Sequence, residues 1–261
     1  MIGFFIKKAF YDGWDNLFQI LLLNVMIVGI AFGGWFLAGL TVAVVPLSIL
    51  IAVCTILLEG VLLLGISAMM AKVSSFSSFS FSDLFAAMKE TWKHGMLFAG
   101  LVTLSCAIFA VTLPYYLGLG NTFGFALAVL MFWVAVIFVL SLQWFLPIRS
   151  QLDKNFIKCI KKSFIIFFDN PGFSLFMLLY STVLMVISLV CVMLLPGFSG
   201  LILAHNEAFR LRMYKYDWLE KNTEVDIKIA RKSIPWMDLI QEDEDTVGHR
   251  SLKSFIFPWK D

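Results

Sequence analysis

The sequence of 261 residues is 60% apolar and 15% charged, with a net charge of +2, and its mean hydropathy is +0.88. Soluble domains are about half apolar, so a fold of this length cannot bury that much apolar surface, and lipid must solvate much of it. A soluble fold is therefore excluded, and the small net charge gives no support for nucleic-acid binding.

The chain begins with a short basic segment, containing Lys7 and Lys8, followed by a long apolar run. The apolar region of a secretory signal peptide covers about 7–15 residues and precedes a cleavage site. The run here is longer, and no clear cleavage site follows it. We therefore expect this segment to stay in the protein as a membrane anchor.

Five segments are apolar over the roughly 20 residues that a helix needs to cross the hydrocarbon of a bilayer. They cover about residues 18–40, 46–71, 96–117, 121–147 and 172–195. The last follows Asn170 and Pro171, a good N-cap and a proline suited to a first helical turn. The sequence predicts an all-α, polytopic transmembrane helix bundle.

The connections between these spans alternate in charge. Those at about 40–46 and 115–121 are short and uncharged, whereas the N-terminus and the remaining connections carry lysine and arginine. Basic residues favour the cytoplasmic side of a membrane. We therefore expect a multi-pass membrane protein with a cytoplasmic N-terminus.

A sixth element is predicted over about residues 198–217. Five spans would leave the C-terminus outside, yet this segment ends in an inner-face pattern of Arg210, Arg212 and Lys215. A turn at Pro196 and Gly197 on the outer face, followed by a returning helix, would bring the C-terminus back to the cytoplasm. Because the segment is poor in apolar residues, it must lie inside the bundle. The alternative is a re-entrant or surface helix.

Two inner connections have amphipathic patterns. SFSDLFAAMKETWKHG follows the second span, with Ser82 or Asp83 as its N-cap. DKNFIKCIKKSFIIFF sets aromatic and aliphatic residues against a basic side formed by Lys154, Lys158, Lys161 and Lys162. Helices of this kind lie in the membrane plane with their lysines toward anionic head groups. Alternatively, both segments are cytoplasmic extensions of the neighbouring spans.

The sequence divides into a transmembrane bundle over residues 1–217 and a polar cytoplasmic tail over 218–261. The acidic run from Glu242 to Asp245 is interpreted as a solvated segment. The ending SLKSFIFPWK mixes aromatic residues with lysines, which suits docking on the inner membrane face or on the bundle.

Glu59 lies in the otherwise apolar run CTILLEGVLLLG. A carboxylate inside the membrane is costly without a partner. Glu59 comes 13 residues after Pro46 and Arg210 comes 13 after Gly197, which predicts that both lie roughly 20 Å below the outer turns. The predicted polar cluster contains Glu59, Arg210, Asn24, His205, Asn206 and Glu207. It is either a coupling or substrate site, or an ion pair that fixes the last helix in register.

Few motifs point to chemistry. The histidines lack metal-ligand spacing, and no nucleotide-binding or hydrolase motif occurs, so we expect no metal, no cofactor and no enzymatic activity. A membrane enzyme would have only His94 and the segment around His205 as candidate bases. The four cysteines are interpreted as small packing residues. Gly29-x-x-x-Gly33 and Gly120-x-x-x-Gly124 allow close helix approach, which we expect to be used within the chain.

The order of three stretches resembles the YesL-type family of bacterial integral membrane proteins, which has no assigned activity. They are NLFQILLLNVMIVGI, then ISAMMAKV with FSDLFAAMKETWKHG, and LPIRSQLDKNFIKCIKKSFIIFFDNPGFSLF. The resemblance implies an accessory role beside the permease of a sugar-uptake ABC transporter, and it supplies no catalytic residue. The long tail from about residue 219 departs from the usual short ending of the family.

Two functions are compatible with these patterns. The first is a non-enzymatic accessory or scaffold protein of the bacterial inner membrane that binds a membrane partner through its cytoplasmic helices and tail. The alternative is a small-solute carrier with an intramembrane site around Glu59 and Arg210.

Overall fold

The structure, a computed structural model, describes residues 1–222 and 233–248, and all regular secondary structure in these ranges is α-helical. The helices are α1 (Ile2–Asp15), α2 (Leu17–Leu40), α3 (Val45–Ser74), α4 (Phe81–Gly118), α5 (Thr122–Leu142), α6 (Phe145–Gln151), α7 (Phe156–Asp169), α8 (Pro171–Val190), α9 (Gly197–Lys221) and α10 (Trp236–Val247). The predicted all-α helical bundle is confirmed.

Each of the five segments predicted as a span is a helix of suitable length and apolarity. Helices long and apolar enough to cross a membrane are α2, α3, α4, α8 and the stretch Thr122–Gln151 that joins α5 to α6. Their outer surfaces carry large apolar side chains, such as Phe32 at 73% exposure and Val190 at 81%. Such surfaces suit lipid and not water, so the chain is a multi-pass membrane protein.

The amphipathic segment after α3 is continuous with the third span, because α4 runs unbroken from Phe81 to Gly118. The segment is therefore an extension of a neighbouring span, which was the alternative to a separate helix in the membrane plane. Its N-cap is Ser80 and not Ser82 or Asp83. The side chain of Ser80 accepts from the Asp83 backbone while the Asp83 carboxylate accepts from the Ser80 N–H, which forms a capping box.

Small residues allow α3 and α4 to pack closely. A Cβ atom added at Gly60 would lie 2.4 Å from the carbonyl oxygen of Gly95 and 2.5 Å from the Cβ of Ala99. One added at Gly95 would lie 2.6 Å from the Cα of Val61. Backbones this close exclude larger side chains, so these glycines hold the two longest helices together.

The second amphipathic segment is a helix of its own. Asn155 caps α7, since its Oδ1 accepts from the backbone N–H of Lys158 at 3.1 Å. One side of α7 is buried in the bundle, including Cys159, Ile166 and Phe167. Asn170 is the N-cap residue of α8, as predicted, but its side chain makes no capping hydrogen bond.

Helix α9 forms the centre of the bundle. It packs against α1, α2, α3, α6 and α8, and most of its residues from Leu201 to Leu211 are buried. The prediction of a helix over 198–217 that lies inside the bundle is therefore confirmed.

The turn that leads into α9 lies deeper than predicted. The side-chain Nδ2 of Asn24 donates to the carbonyls of Leu194 (2.9 Å) and Pro196 (2.8 Å), and its Oδ1 accepts from the N–H of Ser199 at 2.9 Å. Asn24 precedes Leu40, the last residue of α2, by 16 residues or about 24 Å of helix. The turn thus lies beside the first half of α2, and placing it level with the outer turns was wrong.

Gly197 permits this contact. Its φ of +61° is in the left-handed region, and an added Cβ would lie within 2.4 Å of the Asn24 side chain. Only glycine fits both the backbone conformation and the space.

Part of the predicted polar tail folds back onto the bundle as α10. Ile240 and Val247 are buried in the same core as α1 and α9, and Asp243 is only 2% exposed. Residues three and seven apart share one helix face, so the interpretation of Glu242 to Asp245 as wholly solvated was wrong for Asp243. The ending SLKSFIFPWK lies outside the described residues.

Candidate functional site

Glu59 and Arg210 do not form the predicted pair. Glu59 lies beside the backbone of Ala31 in α2, and its buried Oε1 has no hydrogen-bond partner among the described residues. Arg210 instead binds Asp243. The depth estimate failed because the turn into α9 lies level with Asn24 of α2 and not with the outer turns. Arg210, which follows Gly197 by 13 residues, is therefore carried away from the level of Glu59. The ion pair on which the carrier alternative was based is therefore not formed.

Arg210 anchors α10 to α9. Its Nη2 donates to Asp243 Oδ1 at 2.9 Å and its Nε donates to Oδ2 at 3.2 Å. Tyr214 donates its hydroxyl to the same carboxylate at 3.0 Å. This two-pronged contact is the strong form of an arginine–carboxylate bond.

The three consecutive polar residues of α9 contact three different neighbours. His205 Nδ1 lies 2.8 Å from the carbonyl of Leu201, Asn206 contacts Ser67 of α3, and Glu207 pairs with Lys8 of α1. Successive helical side chains point about 100° apart. The predicted cluster therefore does not form as one unit. Asn24 and Glu59 lie apart from these polar residues of α9, whereas Arg210 and the Lys8 partner of Glu207 share the ring of Phe76, at 5.7 and 3.9 Å from its centroid.

The most buried ionic site joins α1 to α9. Lys8 Nζ lies 3.0 Å from Glu207 Oε2, and both side chains have 0% exposure. Lys8 also pairs with Asp12, donates to the carbonyl of Ser74 at 3.1 Å and lies 3.9 Å from the ring centroid of Phe76. A buried ammonium with this many partners fixes α1, α9 and the end of α3 in one arrangement.

A polar cleft lies between α3, α4 and α6. Two adjoining cavities of about 300 and 590 Å³ share Ala68, Ala87, Glu90, Ser150 and Gln151. Ser150 Oγ bonds Ser67 Oγ at 2.8 Å, and Gln151 Nε2 donates to Asn206 Oδ1 at 2.8 Å. The hydrogen bonds within the cleft link α3, α6 and α9.

The lysines of the predicted basic helix lie at the surface or on its edge. Lys154 bonds Glu90 at 3.0 Å, and Lys162 bonds Asp153 at 2.9 Å, which lowers the pKa of the Asp153 carboxyl. Lys158 and Lys161 are exposed. The exposed side of α7 also carries apolar residues, namely Ile157, Ile165 and Phe168. Lysines mixed with exposed apolar side chains are typical of a helix at a lipid surface.

One face of α2 carries two glycines beside which the described residues leave open space. Cβ atoms added at Gly29 and Gly33 would meet no atom within 4 Å. The flanking residues Val25, Phe32 and Phe36 are exposed. We call these five residues the α2 glycine face. The expectation that Gly29-x-x-x-Gly33 serves packing within the chain was wrong, whereas Gly124 of the second motif does pack against α4.

Only one of the four cysteines is a packing residue. Cys159 is buried, and that burial raises the pKa of its thiol to about 11. Cys54, Cys106 and Cys191 are exposed.

Sequence reasoning missed several of these site residues. Lys8 and Asp12 have the i, i+4 spacing of a helical ion pair, which was available as a signal. Ser67, Ser150 and Gln151 carry no comparable signal, since serine and glutamine are common in membrane helices and only the fold brings these three together.

No protein-family description matches this sequence, and neither a curated protein nor a solved structure is significantly similar to it.

Proposed function

We propose that this multi-pass membrane protein acts without catalysis, by binding a transmembrane helix of a partner protein on the α2 glycine face. The observation that carries the proposal is the pair of open glycines, Gly29 and Gly33, within an exposed apolar face.

The free-energy cost of placing glycine inside a helix supports this assignment. Glycine in a helix is less stable than alanine by about 1 kcal/mol. At Gly34, Gly60 and Gly95 close contacts exclude a side chain, and those contacts account for the glycine. Gly29 and Gly33 have no such contact among the described residues, and, unlike the isolated open glycine Gly100 of α4, they lie four residues apart on one helix face. A helix of another protein packing on this face would supply it, because small residues four apart let two helix backbones approach closely.

The partner we propose is the permease of a bacterial sugar-uptake ABC transporter, in line with the resemblance to the YesL-type family. The chain would then lie in the bacterial inner membrane with both termini in the cytoplasm. The basic, partly apolar side of α7 would contact anionic lipid head groups beside that partner.

Co-purification tests the proposal. The tagged chain is expressed in the organism that encodes it, extracted in a mild detergent, and its bound proteins are identified by mass spectrometry. We expect a transporter permease in stoichiometric amount. The double variant Gly29→Leu, Gly33→Leu should fold normally, since its new side chains meet no atom of the chain, and should lose the permease.

Gly100→Leu is the matched control, because Gly100 of α4 is equally open and lies outside the α2 glycine face. It should retain the partner. Recovery of the chain alone in every detergent, or retention of the permease by the double variant, would contradict the proposal. Recovery of only a second copy of the chain would replace the accessory role with self-association.

A further inference from the structure

Arg149 is a buried cation in the polar cleft between α3, α4 and α6. It lines the cavity of about 300 Å³ in that cleft, and it is only 7% exposed. Charged side chains are almost never buried to this degree unless they are paired. The groups that surround the Arg149 guanidinium therefore decide what the cleft can bind.

The Arg149 guanidinium bonds to the protein through only one of its nitrogens. Nε donates to His94 Nδ1 at 2.8 Å, so Nδ1 carries no proton and the His94 ring is neutral. Nη1 and Nη2 make no hydrogen bond to a described residue, and neither is among the unpaired atoms that are closed off from solvent. Both can therefore be reached from the cavity. The bond to His94 orients the planar group and leaves its two terminal amino groups to a ligand.

The carboxylates of the cleft do not neutralise Arg149. Those that line its two cavities each pair with a lysine, at 3.1, 3.0 and 2.9 Å in Asp83–Lys72, Glu90–Lys154 and Asp153–Lys162. The charge of Arg149 acts on Glu90 through space, but Arg149 forms no ion pair with a described residue. One positive charge in the cleft is therefore uncompensated.

A monoanion with two oxygens in one plane would complete this site. A guanidinium binds carboxylate and phosphate oxygens through two parallel N–H···O bonds, which are among the strongest in proteins. One uncompensated charge matches a carboxylate or a phosphodiester better than a dianion, because the nearby carboxylates repel a second negative charge. The cleft opens beside Lys154 and Glu90, whose side chains are 82% and 56% exposed, so a ligand has access.

We propose that Arg149 binds a monoanionic carboxylate or phosphodiester group in the polar cleft, and that His94 is the residue that positions its guanidinium. A small solute and a phospholipid head group both present this chemistry, and competition between soluble and acylated probes separates them. The site is distinct from the α2 glycine face, so the proposal does not depend on the proposed partner.

Saturation-transfer NMR on the purified, delipidated protein measures this binding. The methyl groups of acetate and of dimethyl phosphate report the two kinds of monoanion, and trimethyl phosphate is a neutral control of similar shape. We expect both anions to bind. Dimethyl phosphate should bind at least about tenfold more tightly than trimethyl phosphate, which cannot form a charge-assisted bond.

Variants assign the binding to Arg149. Arg149→Gln should remove the preference for the anion, and Arg149→Lys, which keeps the charge but not the planar fork, should retain only part of it. Lys158→Gln removes the same charge from an exposed position on α7 and should bind like the parent protein.

Ala87→Leu keeps Arg149 and fills space that the two cavities share, so it decides the result if the Arg149 variants do not fold. It should also lose the anion. Equal binding of dimethyl and trimethyl phosphate, or unchanged anion binding in the Arg149 or Ala87 variants, would overturn the proposal.

Two competitors identify the source of the anion. Glycerophosphoglycerol and dihexanoyl-phosphatidylglycerol present the same phosphodiester without and with acyl chains. Displacement of dimethyl phosphate about tenfold better by the acylated form, lost in Arg149→Gln, supports the site and assigns it to a phospholipid head group. Equal displacement supports the site and assigns it to a soluble anion. Failure of both to displace dimethyl phosphate would contradict binding within the open cleft.

Discussion

At the scale of single residues, the neighbours that a buried charged side chain contacts explain its position better than its depth along the helix does. Lys8 and Glu207 are both fully buried and pair with each other, whereas Glu59 lies beside a backbone segment of α2. The sequence shows which residues are charged within apolar surroundings. It does not show which neighbours they meet, because that depends on where the turn into α9 falls.

Removing Lys8 should be strongly destabilising. Lys8→Met should lower the free energy of unfolding by about 3–5 kcal/mol, since it leaves the buried carboxylates of Asp12 and Glu207 without their ammonium partner. Glu207→Gln should cost less, because Asp12 still pairs with Lys8. The double variant should regain part of that loss. Denaturant titration of the detergent-solubilised protein measures the effect.

The exposed pair Lys154–Glu90, with side chains 82% and 56% exposed, is the control. Lys154→Met should cost about 1 kcal/mol or less. Equal losses at the two pairs, or additive losses in the Lys8 and Glu207 double variant, would show that the buried pair does not hold α1 to α9.

At the scale of helices, the spans were predictable and the central helix was predictable only in part. Hydropathy summed over about 20 residues identifies α2, α3, α4, α8 and the α5–α6 stretch without reference to tertiary structure. Helix α9 is less apolar, and its burial comes from five surrounding helices. Its starting level depends on the hydrogen bonds of Asn24, which no periodicity in the sequence reveals.

The position of the α8–α9 turn predicts the reactivity of Cys191. This residue follows α8 between the exposed apolar residues Val190 and Val192. If the turn lies beside the first half of α2, lipid surrounds the thiol. A water-soluble maleimide should then fail to label Cys191 in intact membranes and label it only after detergent extraction.

A cysteine placed at Thr41, in the exposed turn after α2, is the positive control for this experiment. The parent for both measurements replaces the other three cysteines with alanine. Rapid labelling of Cys191 in sealed membranes would show that the α8–α9 turn lies at the membrane surface. That result would contradict the arrangement described for α9.

At the scale of the whole molecule, the buried core and the apolar exterior are unevenly distributed. The core surrounds α9 together with α1, α6, α7 and α10, while few residues in the apolar window of α4 are buried. The sequence predicted a membrane bundle because composition alone demands lipid. It could not predict which apolar face is unpaired within the chain, because Gly29 and Gly34 differ only in which neighbours the fold gives them.

Photo-crosslinking in intact membranes shows whether a helix of another protein packs on the α2 glycine face. A photoreactive residue replaces Phe32 on the α2 glycine face, and in a separate protein it replaces Val190 on α8. We expect one discrete adduct with a transporter permease at position 32, lost in the Gly29→Leu, Gly33→Leu background, and lipid adducts alone at position 190. Lipid adducts alone at both positions would contradict it.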